Sequence, residues 1–215
     1  MHPLDPLSAE EIDLAREIVK SHFEKDSAIR FPSLVLAEPT KTEVENFSDT
    51  NFLNREVLAV IILTEKRTSH ELRISLSKGE VIKSRDLKNE QPPIYLQEFL
   101  SAQEAVKNSK EWQEAVERRG VSDFNLVQVD IWSTGDYPID GIESSRRLAR
   151  GTSYLREDET DNGYSRPLEN LIAVIDLDYL EVVKVIDGPA ISVPESSSRY
   201  DAKSIESHRP ELRPL

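Results

Sequence analysis

The stretch Asp158-Glu-Thr-Asp-Asn-Gly-Tyr-Ser-Arg-Pro-Leu-Glu169 poses the question on which the fold turns. Oxygen-bearing side chains stand at Asp158, Thr160 and Asn162, with Gly163 in sixth place and Glu169 in twelfth. These are nearly the offsets of a calcium-binding loop held between two helices. Such a loop needs a helix on each side. The flanks here, Thr152-Ser-Tyr-Leu-Arg156 and Leu171-Ile-Ala-Val-Ile175, both read as strands. Thr160 occupies a place that calls for Asp or Asn, and Pro167 interrupts the exit. The stretch therefore reads as a strand–loop–strand connection, with Asn162-Gly163 tolerating positive φ.

Working outward, Arg147 to Arg156 enters this loop and Leu171 to Asp176 leaves it. Leu177-Asp-Tyr-Leu180 is a short hairpin connection to the strand Glu181–Ile186. Upstream, Phe124–Trp132 is a further strand. An amphipathic helix from about Glu98 to Arg118 precedes it, with Phe99, Ala102, Val106, Trp112, Ala115 and Val116 on the buried stripe. Arg118 and Arg119 suit its negative end, and Gly120 is the stop.

The first half repeats this order. Ser8-Ala-Glu-Glu11 is a capping box, and Ile12, Ala15, Ile18, Val19 and His22 continue at helical spacing. Ile29–Glu38, Glu56–Thr64 and His70–Leu76 read as strands. Ser77-Lys-Gly-Glu80 is a turn, after which Val81-Ile82 starts another strand. Pro92-Pro93 forms a stiff boundary. The helix-then-strands pattern thus occurs twice with a period of roughly 90 to 95 residues, which suits two small domains. The expectation is an α+β fold, each domain one helix on an antiparallel sheet of three to four strands. Residues 1–91 make the first domain and 92–187 the second, and 188–215, Pro/Ser-rich and then charged, an extended tail.

Composition narrows the chemistry. The 215 residues carry a formal net charge of −13, which disfavours nucleic acid and anionic membranes and favours, at most, cations such as amines. There is no cysteine, so disulfides, thiolate metal sites and a cysteine nucleophile are excluded. No apolar run is long enough to span a bilayer. The opening residues do not resemble a secretory signal, so an intracellular location is expected and the triplet Asn46-Phe-Ser48 is not read as a glycosylation site.

Histidines stand at 2, 22, 70 and 208, and no two are spaced to seed a metal site. There is neither a Gly-x-Ser-x-Gly elbow nor a glycine-rich phosphate loop. The acidic pairs Glu10/Glu11, Asp158/Glu159 and Asp176/Asp178 sit at a helix start or in turns and read as solvated charge. No catalytic, cofactor-binding or metal-binding residue is assigned.

Several ordered motifs nevertheless resemble one family, the copper- and topaquinone-containing primary amine oxidases. His2-Pro-Leu-Asp-Pro-Leu-Ser8 with Glu11-Ile12 is similar to the start of that family's first conserved small domain. Glu38-Pro-Thr-Lys41 and Trp132-Ser-Thr-Gly135 resemble motifs of its two small domains. Asp161-Asn-Gly-Tyr-Ser-Arg-Pro-Leu-Glu169 resembles its Asp-Asn-x-Tyr-x-x-Pro-x-Glu loop, and Ala173–Asp178 the hairpin after it. Ile131, Arg166 and Asn170 depart from the Pro, His and Gly often found there.

The resemblance implies two cystatin-like domains, of the N2 and N3 type, beside a large β-sandwich catalytic domain. The second would help shape the route of the amine to the active site. It further implies a homodimer that oxidises primary amines with O₂ and water to aldehyde, ammonia and hydrogen peroxide. Its cofactors would be copper, held by a His-x-His pair and a distant His, and topaquinone, formed from a tyrosine in Asn-Tyr-Asp/Glu-Tyr. Neither motif occurs in this sequence. Glu211–Leu215 resembles the entry to the catalytic domain. The expected role is therefore a non-catalytic structural and access-channel portion, inactive alone, from the cytoplasm or the peroxisome. The alternative is a stand-alone interaction module that binds a separate amine oxidase subunit.

Overall fold

The Ser8 hydroxyl accepts from the Glu11 N–H at 3.2 Å, and the Glu11 carboxylate accepts from the Ser8 N–H at 2.9 Å. This reciprocal cap opens α1, Ala9–His22, and it is the start that the sequence predicts. The computed structural model describes residues 2–23, 28–48, 54–88, 90–135, 137–143, 145–195, 199 and 201–206. His208 and Glu211–Leu215 lie outside them. The chain divides into two units, Met1–Tyr95 and Leu96–Leu215.

In the first unit, β1 (Ile29–Ala37), β2 (Glu56–Leu63), β3 (Thr68–Ser75) and β4 (Glu80–Asp86) form an antiparallel sheet in the order β1-β2-β3-β4. Inward-pointing Val57, Ala59, Ile61 and Leu63 of β2 alternate along the strand, as a sheet with one covered face requires. They pack with Ala15, Ile18 and Val19 of α1 and with Leu72 and Ile74 of β3. The i, i+3, i+4 spacing of those α1 residues places them on one helical face. A short α2, Lys41–Glu45, was not expected from the sequence. A second capping box produces it, Thr40 Oγ1 accepting from the Glu43 N–H at 3.3 Å and Glu43 accepting from the Thr40 N–H at 2.7 Å.

The second unit repeats the meander with β5 (Val127–Ser133), β6 (Leu148–Leu155), β7 (Pro167–Asp176) and β8 (Glu181–Asp187), again in sequence order. The two four-stranded antiparallel sheets and their helices make the α+β class that the sequence predicts. Phe124–Leu126, read as the start of a strand, is a 3-10 turn before β5, and the helix also differs. The expected single helix over 98–118 is two, α3 (Leu96–Asn108) and α4 (Lys110–Glu117). Ser109 between them is extended, at φ −73° and ψ 120°, and its Oγ accepts from the Trp112 N–H. A serine that satisfies a fresh helix start competes with continuation of the preceding helix. Trp112 is thereby turned inward, fully buried, with its indole N–H donating to Ser153 Oγ at 3.1 Å.

At Gly151 of β6 the α3 helix approaches the sheet closely. A Cβ there would stand 3.2 Å from Val129 Cγ1 and 3.4 Å from both Ile175 Cδ1 and Val106 Cγ2. Glycine admits that approach of α3 to the sheet.

Residues beyond β8 run back along the second unit. Asn170 Nδ2 donates to Pro189 O at 2.9 Å, Arg166 Nε to Pro194 O at 2.9 Å, and Arg119 Nη2 to Gly188 O at 3.2 Å. A last short helix, α5, spans Ala202–Glu206. No described helix is long and apolar enough to cross a membrane.

Candidate functional site

Asp158, the first oxygen of the deciding stretch, is occupied by donors from the protein itself. Its Oδ1 accepts from the Thr160 N–H at 2.8 Å and the Thr160 hydroxyl at 2.6 Å, and its Oδ2 from Arg199 Nη1 at 2.7 Å. The Thr160 hydroxyl, the Arg199 guanidinium and the Thr160 N–H hold this carboxyl far below the usual carboxylate range. Asp161 accepts from the Glu157 and Asn162 N–H groups, both at 2.9 Å, and Asn162 Oδ1 from the Tyr164 N–H at 3.0 Å. Gly163 takes φ +69° between them. Oxygens that could have faced a cation instead fold the loop upon itself. Among the described residues no group of three or more His, Cys, Asp or Glu is placed to hold a metal ion.

The loop delivers Tyr164 to the face of the second sheet opposite α3 and α4. Asp130 and Trp132 of β5 both point to this outer face, two residues apart and so about 7 Å along the strand. The row across the sheet is Asp130, Thr152, Ile172, Ile186, and the next row is Trp132, Arg150, Val174, Lys184. At one end the face is covered by Ile139 and Ile142, which pack on Leu148, Val174 and Val183. At the other end the Tyr164 hydroxyl donates to Asp130 Oδ2 at 2.7 Å, and its ring meets Tyr154 edge to face with centroids 5.2 Å apart. Gln128 Nε2 donates to Asp130 Oδ1 at 3.0 Å. Asp130 is 8 % exposed, while Trp132 is 61 % and Tyr164 53 % exposed. The hydrogen bond to Asp130, then burial, then the Asp130 charge push the Tyr164 phenol upward.

The departures from the family motifs find physical reasons. Asn170 has φ 60°, at the irregularity where β7 shifts its pairing with β6, and asparagine tolerates this left-handed conformation better than other non-glycine residues. Ile131 is buried on the edge strand β5, a place that also admits proline. Arg166 spans to Pro194 O.

His22 and His70, distant in sequence, both pack on Phe23, with ring centroids 4.8 Å and 5.3 Å apart. His70 Nδ1 lies 2.9 Å from Asp86 Oδ1. Of the acidic pairs, Glu11 meets Arg55 at 2.6 Å, and Asp176, 1 % exposed, accepts from Arg146 Nε at 2.7 Å and from the Asp178 N–H at 2.9 Å. Both are structural carboxylates rather than the solvated charge expected from the sequence. The sequence gives no local mark of Asp130 and its partner Gln128 as a paired group. Their alternation with Trp132 along β5 places them on one face, but only the loop brings Tyr164 to them.

Two helix-covered meanders in succession, with a polar and aromatic outer face on the second, describe a pair of small domains without a metal centre among the described residues. Residues 2–87 match the family model of the copper amine oxidase N2 domain, and residues 97–204 that of the N3 domain. The chain belongs to the copper amine oxidase family. It is 34% identical over 215 residues to the primary amine oxidase of Arthrobacter sp. (strain P1), covering 100% of this chain and 32% of that protein. Histamine oxidase of Arthrobacter globiformis is 31% identical over 218 residues, covering 100% of this chain and 31% of that protein. The peroxisomal copper-containing diamine oxidase 1 of Nicotiana tabacum is 30% identical, covering 90% of this chain and 29% of that protein. The fold superposes on a copper-containing benzylamine oxidase from Hansenula polymorpha with a TM-score of 0.77 at 17% identity, covering 100% of this chain and 36% of that one. The chain thus spans about a third of the length of these relatives. N2 and N3 are non-catalytic domains of the family, and the described residues do not fit the copper that the family name implies.

Proposed function

We propose that this chain supplies the N2–N3 portion of a copper-dependent primary amine oxidase and forms part of the path by which amine approaches a separate catalytic domain. The observation that carries this reading is the ordered match of both domain types over nearly the whole chain. Copper and topaquinone belong to a β-sandwich catalytic domain, on the same polypeptide or a second one, within a homodimer. The reaction there is oxidation of a primary amine by O₂ and water to aldehyde, ammonia and hydrogen peroxide. The peroxisomal tobacco relative supports an intracellular setting, the peroxisome or cytoplasm. The domain bounds that go with this reading are 1–91, 92–187 and 188–215.

The test has two arms. The purified 215-residue chain, given Cu²⁺ and an amine such as methylamine or benzylamine, is expected to release no peroxide. Measurable turnover overturns the non-catalytic role. Protein isolated from its native source through an antibody to this chain is expected to stain for a quinone, in the same polypeptide or a tightly bound one. Absence of any quinone overturns the oxidase assignment.

A further inference from the structure

Asn162 and Gly163 form the single Asn-Gly pair of the chain. The Cγ of an asparagine can be attacked by the peptide nitrogen of the residue that follows. A Cβ on that residue stands in the way, and glycine has none. A folded chain ordinarily suppresses the attack by tying that N–H into a helix, strand or turn. Three other asparagines show this. The N–H groups that follow Asn46, Asn108 and Asn125 donate to Val44 O at 3.2 Å, Val106 O at 3.0 Å and Asp123 O at 3.2 Å. Among the described residues the Gly163 N–H has no such acceptor.

The loop also prepares the electrophile. Asn162 Oδ1 accepts from the Tyr164 N–H at 3.0 Å, an Asx turn that folds the side chain over the intervening Gly163 peptide. The same N–H stabilises the negative charge that arises on Oδ1 when Cγ is attacked, as an oxyanion hole does. The backbone N–H of Asn162 is held by Asp161, while its Nδ2, the leaving group, has no partner among the described residues. Asn162 is only half-buried, so water reaches it.

We propose that Asn162-Gly163 is a self-modification site, at which the native chain converts Asn162 to aspartate and isoaspartate and thereby frees Tyr164 from Asp130. The Gly163 nitrogen gives up its proton and bonds to Asn162 Cγ. Nδ2 takes that proton and leaves as ammonia, which closes a succinimide. Water then opens the ring. Cleavage between Cγ and the Gly163 nitrogen gives aspartate, and cleavage between the main-chain carbonyl carbon and that nitrogen gives isoaspartate. Water is the sole co-reactant, and no oxidant or reductant is consumed.

Packing directs the consequence. Isoaspartate runs the backbone through Cβ and Cγ and lengthens it by one carbon–carbon bond, about 1.5 Å. Gly163 cannot absorb this by moving toward β6, because a Cβ there would already stand 3.1 Å from Tyr154 Cβ and 3.2 Å from Arg156 Cγ. The extra length falls on Tyr164, whose hydroxyl donates to Asp130 at 2.7 Å. Either product also adds a carboxylate beside Asp161, and like charges repel. This chemistry goes beyond the oxidase reading and does not depend on it.

The experiment ages the full chain at mildly alkaline pH, native and unfolded in guanidinium chloride, with peptide mapping that separates asparagine, aspartate and isoaspartate. Position 162 is expected to convert first of the eight asparagines, and at least as fast in the native chain as in the unfolded one. A slower native rate, or earlier conversion elsewhere, overturns the site. Asn162→Gln would have to close a larger ring and is expected to lose most of the ammonia release. Release at the parental rate from folded Asn162→Gln likewise overturns it. In the converted chain the Tyr164 phenolate is expected to appear at lower pH than in the parent. A tyrosine titration that is unmoved after full conversion overturns the release from Asp130. The presence or absence of a quinone in the native protein alters none of these outcomes.

Discussion

The Arg147 guanidinium lies against the Glu98 carboxylate in the interior of the second unit, the two side chains 8 % and 4 % exposed. Arg147 Nη2 donates to Glu98 Oε2 at 2.6 Å, and Nη1 donates to Oε1. The pair ties the first turn of α3 to the residue just before β6.

Breaking one side of this pair strands the other as a buried, unpaired charge. Glu98→Ala is expected to destabilise the second unit by about 3 kcal/mol or more. Replacing both together, Glu98→Met with Arg147→Leu, is expected to cost much less, because no charge is then left in the interior. Denaturant unfolding of the three variants checks this. Equal losses for the single and double variants would show that the pair holds α3 by more than charge compensation.

Arg55 gathers the N-terminal segment in the first unit. Its Nη1 donates to Pro3 O at 3.1 Å, its Nη2 to Asp5 O at 2.9 Å, and its Nε to Glu11 Oε1 at 2.6 Å. Only a planar fork reaches carbonyls and carboxylate together, so Arg55→Lys is expected to cost about 1–3 kcal/mol despite keeping the charge. Thermal melting reads the loss, and a melting point equal to that of the parent chain would refute the clamp.

Tyr164 titrates above the usual tyrosine value of about 10, first through its bond to Asp130. A folded-state pKa that is raised gives stability fully present below the unfolded value and lost as pH climbs through the folded one. The parent chain should therefore lose stability relative to Tyr164→Phe only in alkali. Phenolate absorbance should show this tyrosine titrating earlier in Asp130→Asn. A tyrosine titration that is unmoved in that variant would contradict the bond.

Asp158 shows the opposite sign. Its carboxyl is depressed by Thr160 and Arg199, so what it contributes is present above the unfolded carboxylate value, near 4, and fades as pH falls through the folded one. Arg199→Ala is expected to speed amide exchange in Ala202–Glu206 at neutral pH, because Arg199 also meets Asp201 at 3.2 Å before that helix. The parent chain should show the same release only in strong acid. Calcium at millimolar concentration should leave the melting point unchanged, since donors from the chain already fill the Asp158 oxygens. A calcium-induced rise in melting temperature would restore the metal reading of this loop.

The helix-then-strands order was legible because local rules decide it. Ser8 with Glu11 caps a helix over a few residues, and the alternation in His70–Leu76 marks a strand whatever lies beyond it. The break at Ser109 was less legible, since a buried stripe continues across it from Val106 to Trp112 and periodicity alone cannot see a cap within an unbroken pattern. The α2 turn was short enough for its capping box to pass unread.

What the order of residues determined by itself was the α+β class, the absence of thiol chemistry and the rejection of a helix–loop–helix calcium site, because each depends on neighbours in sequence or on composition. Tertiary structure alone decided where charge goes uncompensated. Glu98 and Asp130 are both acids followed by apolar neighbours, yet among the described residues one meets Arg147 from 49 positions away and the other meets Tyr164 from 34 positions away and the nearby Gln128. Such pairings depend on strand register and loop geometry, and electrostatic energy falls with distance in space and takes no account of distance along the chain.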